Sequence, residues 1–371
     1  MTNPSDVTNT IPVWDIYTRL FHWALVTSIA VAAATGFLLG PYWIPVHVVS
    51  ATLAIVLILL RIIWGFTGST YARFSSFVMG PKQVLGYARD LLRGHETRYI
   101  GHNPLGGLMV LALLTVVIVL GLSGAAVLGA AAKAGPMAFA IPYKESGWLR
   151  EIHETLASGL LLLIALHIGG VVFESRRHRE NLARAMVTGC KERRDGDAIS
   201  DPQPAHIPQA IRKGAMWLGG TAVLIAGLSF LPVPRPPVAE YDPLVAEECS
   251  ACHMLYHPSL LPAKDWEHIT ATLADHYGED ASLDDDSTTK IRDWLMANAA
   301  ETADTRAANV FQLNPAGGIK SLTDTAFWRA RHRGLSDAIF KSKAIRARSN
   351  CVACHEDAES GWFNPFQVEI P

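Results

Sequence analysis

Hydrophobic and polar positions divide this chain into two unlike halves. Up to about residue 232, long apolar runs alternate with short polar or basic connections; from residue 240 onward the pattern is mixed and acidic. Five runs approach the roughly 20 apolar residues that cross a bilayer: 20–39, 46–66, 105–128, 148–173 and 215–231, the last being the shortest. A buried core helix would explain any one of them, but not five in one half of a chain. The pattern predicts an all-α protein: a transmembrane four-helix bundle, a fifth transmembrane helix and a small, mostly helical C-terminal domain. The expected boundaries are a flexible N-terminus at 1–10, the bundle at 11–195, a linker at 196–209, the fifth helix at 210–231, a proline-rich linker at 232–242 and the last domain at 243–371.

Charge adds an orientation. Arg73, Lys82, Arg89, Arg93 and Arg98 lie between spans two and three, and Arg176, Arg177, Arg179, Arg184, Lys191, Arg193 and Arg194 follow span four. The connection at 40–45 has no basic residue, and spans three and four share only Lys133, Lys144 and Arg150. Basic loops stay in the cytoplasm. The N-terminus is therefore expected there, with five spans delivering the C-terminal domain to the periplasm from a multi-pass inner-membrane protein. No cleavable signal peptide is evident, since the polar N-terminus lacks a basic leader. The net charge of −2 comes without a basic stripe, which gives no case for nucleic acid.

Cysteine placement changes the picture most. Of five cysteines, four fall in two copies of C-x-x-C-H: CSACH at 249–253 and CVACH at 351–355. In this pattern Cys249 and Cys252, or Cys351 and Cys354, attach a haem through its vinyl groups, and the adjacent His253 or His355 offers an axial imidazole. A four-cysteine zinc site would leave both trailing histidines unexplained. Cys190 stands alone in a basic loop and reads as an idle thiol. Each iron needs a second ligand if it only carries electrons. DWEHITATLADHYG (265–278) reads as an amphipathic helix with Trp266, Ile269, Leu273 and His276 on one side and His268 pointing away. FWRARHRGL (327–335) groups Trp328, His332 and Leu335, although an exposed basic helix would read the same way. Met254 and His257 are local alternatives.

The stretch from CSACHMLYHPSLLP through LADHYG and FWRARHR to SNCVACHEDAESG resembles the bacterial dihaem cytochrome c family, over roughly 245–362. The resemblance implies bis-histidine haems, with His253 and His355 proximal and His276 and His332 distal. Which distal residue serves which haem does not follow from sequence.

The fourth run, WLREIHETLASGLLLLIALHIGG, carries His153 and His167 fourteen residues apart. On an α-helix that separation turns through about 1400°, within about 40° of whole turns, and rises about 21 Å. The two imidazoles therefore share a face near opposite sides of the bilayer, where a polar group marks a function. His22 in span one is level with His167, and His47 in span two is level with His153. The depth pairs His22–His167 and His47–His153 suit two haems one above the other; a zinc site would need the imidazoles around one point.

VWDIYTRLFHW, RIIWGFTGSTYARF, GHNPLGG and the IHE…HIGG helix resemble the bacterial cytochrome b561 and Ni/Fe-hydrogenase-type cytochrome b membrane subunits, over about 11–190. The resemblance implies two non-covalent b haems on those four histidines, in addition to two covalent c haems. The plain family has four spans and stops, so the fifth run and PVPRPPV (232–238) read as the device that carries the last domain outward. In such subunits a quinone pocket adjoins the cytoplasmic-side haem. That points to His102, which could exchange protons with solvent, and to Asn103, which could bind a quinone carbonyl; a helix-capping Asn-Pro pair is the plain alternative.

Together these features predict a tetrahaem electron-transfer protein between the quinone pool and a periplasmic c-type cytochrome or other haem protein. It would be an electron carrier whose enzymatic form is quinol/quinone–cytochrome oxidoreductase activity, without a catalytic residue of its own. A homo-oligomer is compatible with the sequence. One rival is a superoxide-oxidising b561-type enzyme (superoxide:quinone oxidoreductase), with Lys133, Lys144 and Arg150 steering the anion. Another makes the membrane half only an anchor.

Overall fold

The structure, a computed structural model, describes residues 10–194, 197, 204–312 and 321–371. Residues 1–9 of the expected flexible N-terminus and half of the 196–209 linker lie outside these residues. Helices dominate, and the only sheet among the described residues is a two-stranded one, with β1 (Thr10–Pro12) antiparallel to β2 (Cys190–Glu192). Cys190 lies on β2, opposite Pro12.

The chain forms two compact units. Residues 1–124 and 150–225 make the first; residues 125–149 and 226–371 make the second. The expectation kept 125–149 with the bundle. Its grouping with the C-terminal domain has a concrete cause in the second unit, where Lys133 Nζ meets Asp304 Oδ2 at 2.5 Å and donates to the Ile141 carbonyl at 2.9 Å. Asp304 also accepts from the Tyr143 backbone N–H at 3.2 Å and from Asn309 at 3.0 Å. The Lys133 side chain is only 2% exposed.

Among the described residues, four helices are long and apolar enough to cross a membrane: Ile16–Leu38, Ile44–Thr67, Pro104–Ala132 and Tyr143–Arg177. The first is α1 (Ile16–Ala33) extended by one π turn (Ala34–Leu38). The others are α2 (Ile44–Thr67), α4 (Pro104–Ala132) and α5 (Ser146–Arg177), with α3 (Pro81–Arg93) on the connection between α2 and α4. Asp15 starts α1 as its N-cap. Oδ1 accepts from the Thr18 N–H at 2.7 Å, while Oδ2 accepts from Trp64 Nε1 at 3.0 Å and Ser69 Oγ at 2.5 Å. One carboxylate thus satisfies an orphan donor of α1 and ties it to the end of α2. Ala54, Ile58, Leu114, Val117 and Leu160 form the apolar centre between α2, α4 and α5. Large apolar side chains such as Leu38, Leu162 and Ile168 face outward, while Ser28, Thr35, Ser50 and Arg61 are buried. That inversion suits a lipid exterior, where helices gain more from small and polar contacts inside.

A further helix, α7 (Ile207–Ser229), follows the short α6 (Leu182–Thr188). It begins before the apolar run, because Arg212 and Lys213 continue the same helix. Its foot is held where the His206 N–H donates to the Thr67 carbonyl at 2.9 Å.

In the second unit, Val245, Leu260, Trp266, Ile291, Leu295 and Phe311 form the core. They come from α8 (Pro243–Cys249), a 3₁₀ turn at Pro258–Leu260, α9 (Ala263–Ala271), α10 (Asp285–Ala297) and α11 (Arg306–Gln312). Trp266 Nε1 donates to the Pro258 carbonyl at 2.7 Å, so the indole is buried without an unpaired donor. The second half of this domain has mainly short pieces, α12 (Ala326–His332), α13 (Asp337–Phe340) and a 3₁₀ turn at Cys351–Ala353.

Candidate haem sites

His47 and His153 face each other with ring centroids 6.2 Å apart and planes crossed at 79°. Two imidazoles on opposite sides of one iron, each nitrogen about 2 Å from it, place their centroids about 6 Å apart. His47 Nδ1 lies 2.9 Å from the Ala32 carbonyl, and His153 Nδ1 lies 2.9 Å from Ser123 Oγ. Those contacts occupy the Nδ1 atoms and leave each Nε2 for a metal, the outer support that fixes ring orientation in metal sites. The π turn of α1 contributes directly, since Thr35 within it lies 3.3 Å from His47 Nδ1. Glycine keeps this place open. A Cβ on Gly36 would stand 3.2 Å from His47 Cε1, and one on Gly124 would stand 3.2 Å from His153 Cε1. The residues present fit a haem here.

His22 and His167, at the other end of the bundle, lie within electrostatic reach of each other. His22 Nδ1 is buried without a hydrogen-bond partner among the described residues. Several buried polar atoms near this end share that condition, including Arg61 Nη1, Tyr71 Oη and His102 Nδ1. Arg61, a charge inside a span fourteen residues after His47, carries the same intramembrane signal as the histidines.

His102 is wedged between Trp14 and Phe77, at 4.8 and 4.7 Å between ring centroids. Burial, with the charges of Arg61 and Lys191 adding to it, pushes its imidazole down to about 3. A neutral, stacked ring is a poor exchanger of protons with solvent, contrary to the role expected for it. Asn103 caps α4: Oδ1 accepts from the Gly106 N–H at 2.6 Å and Nδ2 donates to Glu174 Oε1 at 2.7 Å. Both ends of its amide are therefore occupied. Glu174 also accepts from Tyr87 Oη at 3.1 Å and pairs with His178 at 3.2 Å. Sequence reading missed this carboxylate because it lies just beyond the apolar run.

In the second unit, His253 pairs with His276 (centroids 6.2 Å, planes 31° apart) and His332 pairs with His355 (6.1 Å, 75°). Cys249 closes α8, while Cys351 opens a 3₁₀ turn and Cys354 follows it. His276 is not on the expected 265–278 helix. The helix stops at Ala271, where the Thr272 hydroxyl turns back onto the His268 carbonyl at 2.9 Å. His276 then sits on a turn continued by Tyr277 and Gly278, both at positive φ, and its N–H donates to the Glu279 carbonyl at 2.8 Å. His268 is exposed. His257 has both nitrogens engaged, with Ser259 Oγ at 2.7 Å and the Val238 carbonyl at 3.0 Å, so it is a structural residue. His332 stacks on Trp328 at 4.2 Å, and its Nδ1 lies 2.9 Å from the Trp328 carbonyl. Burial and the nearby His332 push the His355 imidazole down to about 4, keeping it neutral and able to bind metal.

Residues 13–189 match the family model for prokaryotic cytochrome b561, and residues 245–363 match that for dihaem cytochrome c. The chain joins a cytochrome b561 to a dihaem cytochrome c. Among curated relatives of the b561 half are two proteins named probable Ni/Fe-hydrogenase B-type cytochrome subunit. The one from Rhizobium leguminosarum bv. viciae is 24% identical and aligns with 48% of this chain and 87% of its own length. The one from Cupriavidus necator is 26% identical and aligns with 49% of this chain and 87% of its own. Solved structures similar to the cytochrome c half include a dihaem cytochrome c from Rhodobacter sphaeroides, 39% identical over 34% of this chain and 98% of that one, with a TM-score of 0.29. A second, from Shewanella baltica OS155, is 32% identical over 35% of this chain and 92% of that one, with a TM-score of 0.28. Helix α7 lies outside both family matches.

The b561 half thus belongs to proteins that bind b haems and the C-terminal half to proteins that bind c haems, and the whole is a multi-pass membrane protein with an electron-transfer chemistry. When bound, each haem supplies a one-electron iron couple, while the protein sets position, burial and ligand identity.

Proposed function

We propose that this protein moves electrons between the membrane quinone pool and a periplasmic redox partner through two b haems and two c haems. The observation that carries the reading is the recurrence of one spacing. Three histidine pairs, one in the membrane unit and two in the C-terminal unit, have ring centroids 6.1 to 6.2 Å apart. In this reading His47–His153 and His22–His167 hold the b haems, and His253–His276 and His332–His355 hold the c haems. Cys249, Cys252, Cys351 and Cys354 carry the thioether links. Two histidines at each site would supply both ligands that a bound haem needs, which favours electron transfer over chemistry at the metal. The basic loops favour a cytoplasmic N-terminus and an inner-membrane location. Five spans, α7 included, then bring the C-terminal domain to the periplasm, where a small c-type cytochrome or other haem protein would dock.

Each quinol oxidised gives up two electrons and two protons, and the histidine pairs would hold the one-electron carriers that take up those electrons; quinone reduction is the reverse. Of the charges named for the superoxide-oxidising alternative, only Lys133 is buried, while Lys144 and Arg150 stay exposed beside carboxylates. Lys133 is buried against Asp304, Lys144 lies 4.0 Å from Glu145, and Arg150 pairs with Glu154 at 3.3 Å. The test is stopped-flow mixing of the oxidised protein in nanodiscs with a quinol. Reduction of b and then c α-bands by quinol is expected. Reduction by superoxide but by no quinol would sink the proposal.

A further inference from the structure

Charge divides the C-terminal domain as sharply as hydropathy divides the chain. Residues 240–312, which bear the His253–His276 pair, contain fifteen carboxylates against four Lys and Arg. Residues 326–348, which bear His332, contain seven Lys and Arg against one carboxylate. All seven are exposed. The one carboxylate, Asp337, pairs with Arg348 at 2.5 Å, and carboxylates return only after the second attachment motif, from Glu356 onward.

The fold gathers these charges beside one histidine pair. Arg329, Arg331 and Arg333 flank His332 on α12 and its C-cap. The Arg348 guanidinium lies 5.8 Å from the Trp328 ring centroid and 5.7 Å from that of Phe340, the two rings that pack against His332. Lys341, Arg346 and Arg348 line one shallow depression of about 280 Å³. Val352, between Cys351 and Cys354, is 38% exposed. An apolar spot beside a charged rim is the anatomy of a protein–protein contact. A lipid surface would be met by large apolar side chains projecting among the basic ones, whereas Phe340 is 8% exposed and Trp328 is stacked on His332. The acidic part is engaged by its own chain: Asp304 holds Lys133 and the Tyr143 N–H, and its own N–H donates to the Arg235 carbonyl at 2.8 Å.

We infer that this basic surface is where the protein meets its soluble redox partner, and that the partner is an acidic one-electron carrier protein. This rests on the electron transfer proposed above and names the site that performs its last step, the His332–His355 pair rather than His253–His276. One electron passes between partner and site, so that one is oxidised as the other is reduced, and no bond or proton moves. Opposite charges on the two faces steer and orient the encounter.

The experiment uses the full haem-loaded chain in nanodiscs of neutral lipid, reduced and then mixed with oxidised plastocyanin, an acidic copper protein, at rising salt. Lys341→Glu with Lys343→Glu reverses charge on the surface. Lys264→Glu with Lys290→Glu makes the same change in net charge on the acidic part, where both lysines are exposed. A second readout needs no turnover: carbodiimide joins a lysine amine to a carboxylate in contact, and peptide mapping locates the link. Cross-links from plastocyanin to Lys341 and Lys343 are expected, with a loss of at least about tenfold in the low-salt rate of c-haem oxidation for the surface pair. That loss should vanish at about 1 M salt, where the Debye length is about 3 Å, and haem spectra should stay unchanged. The charge-matched pair should keep the rate of the unsubstituted protein. Equal losses in both pairs, or cross-links confined to Lys264 and Lys290, would overturn the inference. So would a surface pair that keeps its plastocyanin rate but no longer binds phosphatidylglycerol vesicles, which would make the surface a membrane contact. Cross-links at Lys341 and Lys343 without electron transfer to plastocyanin or to ferricyanide would uphold the surface and sink the function proposed above.

Discussion

The two C-x-x-C-H motifs of the C-terminal domain have the same chemistry and different surroundings. His253 is exposed, its Nδ1 is held 2.7 Å from the carbonyl of its own neighbour Met254, and its plane is 31° from that of His276. His355 is half-buried, packs 5.2 Å from Phe363, and crosses His332 at 75°. His332 is itself locked on Trp328. The motif determines where a haem can be attached, whereas solvent, ring orientation and stacking around it determine its potential and spectrum. Two sites on one short domain can therefore be tuned apart without changing a ligand.

The comparison breaks most visibly at the distal ligands. His332→Ala is expected to convert one c component from low-spin to high-spin and leave the other intact, and His276→Ala should do the same for the opposite component. Magnetic circular dichroism of the two variants checks this; loss of the same component in both would refute the pairing. A smaller effect is expected from Trp328→Ala, which frees the His332 ring. Its component should shift in potential and loosen its ligand by roughly tenfold, the lower end of what outer-sphere support is worth. Imidazole competition would measure it.

Ring planes sharpen the comparison without mutation. Crossed imidazoles give a highly anisotropic low-spin EPR signal, and near-parallel ones give a rhombic signal. The c haem of His253 and His276 should be rhombic, while those of His332–His355 and of the His47–His153 pair should be anisotropic. Assigning each signal in the ligand variants tests all three.

The two units also differ in what holds them at their edges. Removing one partner of the Lys133–Asp304 pair should cost about 3 kcal/mol, because the other charge stays buried. Asp304→Asn is expected to open residues 125–149 to limited proteolysis. Weakest is an acid sensitivity of the first unit. Burial raises the Glu180 and Asp197 carboxyls, but hydrogen bonds and charge from Arg98, with Lys191 acting on Glu180 and Arg194 on Asp197, outweigh it and hold both below the usual carboxylate range. Their contribution is complete above the ordinary carboxyl pKa and is lost as pH falls through the depressed one. Thermal melting should thus weaken below about pH 4, and Glu180→Gln should flatten that dependence.

How much could be read from sequence differs between the units for a physical reason. In the membrane unit the histidines ride on straight helices, so a fourteen-residue interval translates into one face and one depth, and the helices near 16–38, 44–67, 104–132 and 143–177 lie where the apolar runs put them. In the C-terminal domain His276 comes from a turn after α9 and His355 from an isolated bridge to Val368 just past a 3₁₀ turn, where no period speaks. There the attachment motifs and the family resemblance indicated the ligands, while helical periodicity favoured His276 on a helix that in fact ends at Ala271. The supports of His47 and His153 escaped altogether: a backbone carbonyl of α1 and a serine on α4 are ordinary residues until the fold brings them to an imidazole.

The most direct measurement is a haem count on the purified, haem-replete protein by pyridine haemochrome, combined with a potentiometric titration of the b and c α-bands. Two b and two c haems per chain, with b potentials spanning the quinone couple, are what the account predicts. Two c haems with one b haem or none would contradict it, and would leave one or both membrane histidine pairs as packing residues.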